Sequence, residues 1–325
     1  MQRITIPGTN LAPSAICYGT GSLGVGMDDA QVAALINTFR DAGGTFLDTA
    51  HVYAAWTPAG AGSSERAIGR YIAANGAGDL IVATKGGHPS MAGYRRVDRW
   101  LDPGRVHADI QDSLGRLGLE QIPLYYLHRD DTRFTVAEII QMLNAEIASG
   151  TIAAIGASNW THERLAEANA YAAEHGYQGF VASQNQWSLA TKESPPPLPH
   201  GAQTRFVQPD DVAFHIASGL PLVAYTATAA GYFSVVPSAG AAASTGDRRE
   251  EHPFDSPINR ERARRVAELA ASRGTTPTGI ALAWLMHQRF PCIPITGTRD
   301  PDHLRENLGA ATITLTGGEV EWLAA

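Results

Sequence analysis

GTGSLGVGMDD, residues 19–29, is the stretch whose reading decides the fold. It follows the apolar run SAICYG, so Gly19, Gly21 and Gly24 form a G-x-G-x-x-G after a strand. The next apolar run, TFLD, ends in Asp48, where a dinucleotide-binding fold places its ribose-binding acid. In that fold the helix opens within the glycines, so that its N-terminus meets the pyrophosphate. Here the helical pattern starts only at about residue 29, several positions too late. A doubly wound sheet is therefore the alternative, and the rest of the chain has to supply the architecture.

Working outward, short β-type runs alternate with helical stretches. SAICYG precedes 29–42, TFLD precedes 64–75, LIVATK precedes 103–117 and PLYYLH precedes 135–149. TIAAIG with 162–174, GFVASQ with 209–218, LPLVAY with a long helix over 258–287, and CIPIT with 301–309 complete eight units. Asp102-Pro103 is an N-cap with proline at the first helical position, and Gly118 supplies a left-handed stop. Between them Val106, Ile110, Leu114 and Leu117 line one face. Thr135 and Glu138 have capping-box spacing, and Ile139, Leu143 and Ile147 form the buried stripe of the helix that Gly150 ends. The strands are apolar on both faces, as parallel strands covered by helices are. Eight such units predict a (β/α)₈ TIM barrel, a single α/β domain over 1–325.

A chain of 325 residues with 44% hydrophobic content can bury a large core, and a formal charge of -7 without a Lys/Arg-rich run argues against nucleic acid or an anionic membrane as partner. Cys17 and Cys292 are too few for a disulfide framework or a thiolate metal site. With no apolar run long enough to span a bilayer, the expectation is a cytoplasmic protein, a monomer or small homo-oligomer, acting on a small molecule.

Barrel active sites lie at the C-terminal ends of the strands. Those ends carry Asp48, Tyr53 in FLDTAHVYAAW, Lys85 in IVATKGGH and His128 in YYLHRDD. Each alone could be a cap, a packed ring, a solvated amine or a core imidazole. Together they make a tuned acid. A phenol, with its reference pKa of about 10, donates poorly near neutrality unless a cation stabilises the phenolate. Lys85 can be that cation, Asp48 can hold it charged, and His128 can hydrogen-bond the substrate oxygen or share its proton with Tyr53.

Over essentially its whole length the sequence resembles the aldo-keto reductases, with FLDTAHVY, SSERAIGR, ATKGG, YYLH, IGASNW, SQNQWSL, LVAYTA and GTRDPDHLRENL in the expected order. The resemblance implies carbonyl reduction by hydride transfer from NADPH bound in extended form across the strand ends, with NAD as the alternative. It implies Tyr53 as proton donor, with Asp48, Lys85 and His128 completing the tetrad. It also implies that Ser158, Asn159 and Gln184 hold the nicotinamide amide, that Tyr225 stacks on its ring, and that Gly19 and Thr20 pass beside it. Thr226 and Gly231 fall near the pyrophosphate. Gly297, Thr298 and Arg299 match the adenosine-phosphate loop, with Arg299 on the 2′-phosphate, and His303, Glu306 and Asn307 lie beside the adenine. The chain departs from many relatives in reading Thr226-Ala227-Thr228 in place of Ser-Pro-Leu, and in lacking a lysine near Gly297.

Three long segments, 54–62, 187–206 and 232–257, should shape the pocket, and SAGAAASTGDRREEH (238–252) reads as mobile. The expected rim is His51, Trp56, His88, Arg129 and Trp187, with Trp100 beside them. Aromatic faces mixed with hydrogen-bond donors suit a hydroxylated carbonyl such as a sugar. No metal is expected. Two other readings compete: a metal-dependent barrel hydrolase using His51, His128, Asp130 and Asp131, and a cofactor-sensing subunit without catalysis.

Overall fold

In a computed structural model the chain forms a closed barrel of eight parallel strands in sequence order. The structure describes residues 1–96, 98–235 and 252–325. The strands are β1 (Cys17–Gly19), β2 (Phe46–Asp48), β3 (Ile81–Gly86), β4 (Leu124–Leu127), β5 (Ile155–Ser158), β6 (Ala182–Gln184), β7 (Leu222–Ala224) and β8 (Cys292–Thr296). Between them run α1 (Asp29–Asp41), α2 (Ser63–Asn75), α3 (Pro103–Leu117), α4 (Val136–Ala148), α5 (His162–His175) and α6 (Pro209–Ser218). Helices α7 (Pro257–Arg273) and α8 (Pro277–Met286) precede β8, and α9 (Pro301–Leu308) and α10 (Gly317–Ala324) follow it. The doubly wound alternative is excluded by the pairing of β1 with β8. Helix α1 starts at Asp29 because Asp28 accepts from Gln31 N and Gln31 reaches back to Asp28 N, a capping box that sets the start beyond the glycines.

The stretch 258–287, expected to be one helix, is two. Gly274 adopts a left-handed conformation at φ 61°, Thr276 caps Gly279 N and Pro277 occupies the first turn of α8, so the chain stops and restarts within four residues. Helix α10 was not expected from the sequence; a capping box between Thr316 and Glu319 opens it. The stretch 238–251 lies outside the described residues.

The period of two along each strand decides what meets inside. Phe46, Ala83, Leu124 and Tyr126 belong to the barrel interior, floored by fully buried Ile6, whereas Leu47, Val82, Tyr125 and Leu127 pack outward against helices. Two residues beyond Phe46, Ala83 and Tyr126 come Asp48, Lys85 and His128, so alternation alone turns all three inward at the same mouth. No helix among the described residues is long and apolar enough to cross a membrane.

Candidate active site

Lys85 is the hub. Its Nζ donates to Asp48 Oδ2 at 2.7 Å, to the Thr49 carbonyl at 2.7 Å and to Tyr53 Oη at 3.0 Å. The lysine and Asp48 side chains are 1% and 3% exposed, so the pair is screened from water. The other carboxylate oxygen, Asp48 Oδ1, accepts from Gln184 Nε2 at 2.8 Å, which leaves the acid aimed at the lysine. Burial alone would lower the Lys85 pKa, but Asp48 and Tyr53 together raise it, so the amine stays charged. Burial raises the Tyr53 phenol above its ordinary value while Lys85 pulls against that rise, so the lysine opposes desolvation and does not overcome it.

His128 completes the group, its ring edge-on to Tyr53 with centroids 5.9 Å apart. Burial, with His88, Arg129 and Lys85 nearby, pushes its pKa well below the usual histidine range, so the ring is neutral. Its Nδ1 is buried without a hydrogen-bond partner among the described residues. His88 stands 4.8 Å from it, and burial with the Arg129 charge lowers the His88 pKa from 6.5 to about 4. His88 Nδ1 faces the Pro89 carbonyl at 2.8 Å and must carry the proton there, leaving Nε2 as an acceptor.

This pair predicts a pH effect. Both histidines are neutral in the folded state, so below about pH 6.5 the unfolded chain binds protons that the native chain does not. Stability is complete above that value and is lost as the pH falls towards 4. Melting temperature followed against pH should show this decline, and His88→Asn should make it shallower; an unchanged slope would mean that His88 is not held neutral by the fold.

A second polar set closes the opposite strand ends. Asn159, left-handed at φ 64°, donates through Nδ2 to the His128 carbonyl and to Ser158 Oγ, while its Oδ1 accepts from Tyr225 Oη at 2.7 Å and from Arg205 N at 2.9 Å. Four partners hold a backbone conformation that costs an asparagine little compared with a branched residue. Ser158 Oγ donates to the Gln184 carbonyl at 2.8 Å. Thr20 is fully buried, its hydroxyl shared between the Asp48 carbonyl and Ser64 Oγ.

At the β7–β8 ends lies a cavity of about 560 Å³ lined by Thr228, Gly231, Gly297, Thr298, Glu306 and Asn307, with His303 at its edge. Thr276, Pro277 and Thr278, the start of α8, line it too. Gly231 is left-handed at φ 83° and leaves open space where a side chain would stand. A Cβ on Gly297 would lie 2.9 Å from the Gly19 carbonyl oxygen, so the ends of β1 and β8 approach closely only because both are glycine. Arg299 is exposed, and its Nη2 donates to the Gly26 carbonyl at 3.3 Å, linking this edge to the glycine-rich loop. Thr226, left-handed at φ 56°, begins the turn towards the cavity.

A profile of the Aldo/keto reductase family matches residues 15–325. The chain belongs to that family. As an aldo/keto reductase it is an oxidoreductase. It is 27% identical over 333 residues to an aryl-alcohol dehydrogenase of Pestalotiopsis microspora, covering 98% of this chain and 80% of that one. It is 27% identical over 345 residues to the aryl-alcohol dehydrogenase [NADP(+)] of Phanerodontia chrysosporium, covering 99% and 84%. Norsolorinic acid reductase A of Aspergillus parasiticus is 25% identical over 333 residues, with 98% and 79% covered.

The rim of this aldo/keto reductase differs from the one expected. Trp56 is 54% exposed and stands edge-on to Tyr53 at 6.5 Å. His51 turns away, with Nδ1 on the buried Tyr94 Oη at 2.9 Å and Nε2 on the exposed Asp112 Oδ2 at 3.0 Å, so both nitrogens of a buried ring are satisfied away from the mouth. Trp187 stacks on Phe290 and meets Trp284 edge-on, and with Phe206 and Phe254 it borders a separate small cavity. Trp100 is buried with Nε1 on the Asp130 carbonyl. The four groups a metal hydrolase would need do not converge, since Asp130 pairs with Arg164 and Asp131 with Arg133. Sequence reasoning missed Asn185, whose Oδ1 receives Asn159 N at 2.8 Å, although it adjoins Gln184 in SQNQ. It also missed the start of α8 at the cavity, because the break before it was read through.

Proposed function

We propose that the chain interconverts a carbonyl and an alcohol with NADP(H), Tyr53 being the proton donor. The observation that carries this reading is the single Lys85 Nζ bound to both Asp48 and the Tyr53 hydroxyl. The donor set supports the cofactor: Asn159, Ser158 and Gln184 bring amide and hydroxyl groups together at the ends of β5 and β6, and the cavity offers glycines, hydroxyls and the N-terminus of α8, which favours phosphate. Bound there, the dinucleotide supplies or accepts the hydride. Tyr53 gives its proton to the substrate oxygen, and Lys85 stabilises the phenolate that remains. Asp48 keeps the amine charged and in place. His128, neutral and beside the phenol, positions the substrate oxygen by a hydrogen bond. In the reverse direction the phenolate takes the alcohol proton.

The substrate reading moves from a sugar towards an aryl carbonyl or alcohol. The sugar rim loses His51 and Trp187, the exposed ring of Trp56 stays beside Tyr53, and two of the relatives are named for aryl alcohols. NADPH oxidation measured with aryl aldehydes and aldoses, with and without a chelator, tests the whole assignment. Aryl aldehydes should turn over fastest, unaffected by chelation. No turnover with any carbonyl would favour the cofactor-sensing reading, and loss with chelator the metal reading.

Arg299→Ala should weaken NADPH binding by about 1.5–3 kcal/mol, the range for a hydrogen bond to a charged group, and NADH binding much less. Fluorescence titration of both cofactors decides it. Equal losses would remove Arg299 from the 2′-phosphate.

A further inference from the structure

Arg129 follows His128 at the end of β4, in a run, Arg129-Asp130-Asp131, that supplies two acids for its neutralisation. Neither serves. Asp130 Oδ2 pairs with Arg164 Nε at 2.6 Å and Asp131 Oδ1 with Arg133 Nε at 2.7 Å. Asp48, the acid of the tetrad, is held by Lys85 and Gln184. Among the described residues no carboxylate lies within ion-pair distance of the Arg129 guanidinium, and its hydrogen bond is Nη1 to the His128 carbonyl at 2.8 Å. The side chain is partly buried, and its charge acts on Tyr53, Tyr225, His88 and His128. A guanidinium drawn from water without a counter-ion is costly, and a planar fork with free N–H groups binds carboxylates in two-pronged fashion.

The counter-ion is not the cofactor phosphate. The cavity that fits the phosphates lies at the β7–β8 ends, and in a closed ring of eight strands β4 is opposite β8. Arg129 stands beside His128, across the barrel from that cavity, and close enough to Tyr53 for its charge to act on the phenol.

We propose that Arg129 recognises a carboxylate on the substrate, so that the preferred carbonyl compounds are aldehyde or keto acids with the anionic group a few atoms from the reacting carbonyl. This rests on the carbonyl-reductase reading above. It names the substrate class as anionic and assigns the residue that selects it.

The test has two arms. In the first, kcat/KM is measured for 3- and 4-carboxybenzaldehyde and for their methyl esters. The ester is the more electrophilic aldehyde, so an acid preference has to come from the site. The wild type should favour the acid by about 10- to 100-fold, the value of a charge-assisted bidentate contact. Arg129→Met should abolish that ratio through KM, and Arg129→Lys should keep part of it. Turnover of the esters with no advantage for the acids would overturn the proposal while leaving the reductase reading intact; no turnover of any aldehyde would overturn that reading. The second arm needs no turnover. Calorimetry of benzoate and benzamide with the NADP+-loaded protein should show benzoate binding at least about tenfold tighter, a difference that Arg129→Met removes. Equal binding of the two by the wild type would overturn the proposal, whatever the variants do.

Discussion

Tyr53→Phe should lower kcat by at least about 10²-fold, the usual contribution of a positioned general acid, with NADPH affinity nearly unchanged. The substitution keeps the ring that packs edge-on to Trp56 and His128 and removes the one hydroxyl to which Lys85 donates. Burial raises the pKa of this phenol, so the hydroxyl is protonated at neutral pH, and release of its proton depends on the Lys85 charge that opposes that rise. Single-turnover kinetics with an aryl aldehyde, alongside a cofactor titration, would measure both quantities. Near-normal turnover would take the proton donor elsewhere and undo the assignment.

Lys85→Met should be costlier still, because it removes both catalytic tuning and a buried counter-ion. Asp48 would remain 2% exposed with Gln184 and the Tyr53 hydroxyl, at 3.4 Å, as its neutral side-chain partners, and breaking one half of a buried ion pair typically costs about 3–5 kcal/mol. Turnover should fall at least as far as in Tyr53→Phe, since the phenolate loses its cation. Chemical denaturation and kcat measured together check the prediction. A variant as stable as wild type would show that Asp48 and Lys85 are not coupled in the way their 2.7 Å contact indicates.

The convergence of Asp48, Lys85 and His128 at one mouth was legible because it depends on local rules. Strand alternation carries Asp48, Lys85 and His128 to the inward side from Phe46, Ala83 and Tyr126, and each run is short enough for its period to be read directly. The glycine-rich loop was equally open to reading, since the cap at Asp28 and Gln31 spans only four residues. Helix α10 and the break at Gly274–Pro277 carried signals of the same kind: a Thr cap opens α10, and a Gly stop, a Thr cap and a Pro start mark the break, which lies in a run, 272–279, without an aliphatic or aromatic side chain.

Side-chain commitments across the fold were of a different order. Whether His51 faces the mouth depends on Tyr94 and Asp112, 43 and 61 residues away, and whether Trp187 does depends on Trp284 and Phe290. Arg129 has no carboxylate partner among the described residues because Arg164 and Arg133 claim the acids beside it. Sequence by itself determined the barrel, the inward direction of the tetrad and the starts of most helices, because period, caps and turn residues act over a few positions. Only the tertiary structure decided which polar groups are already paired and which are left for a ligand. That outcome depends on which distant partner reaches a side chain at the right distance and burial, which local pattern does not encode.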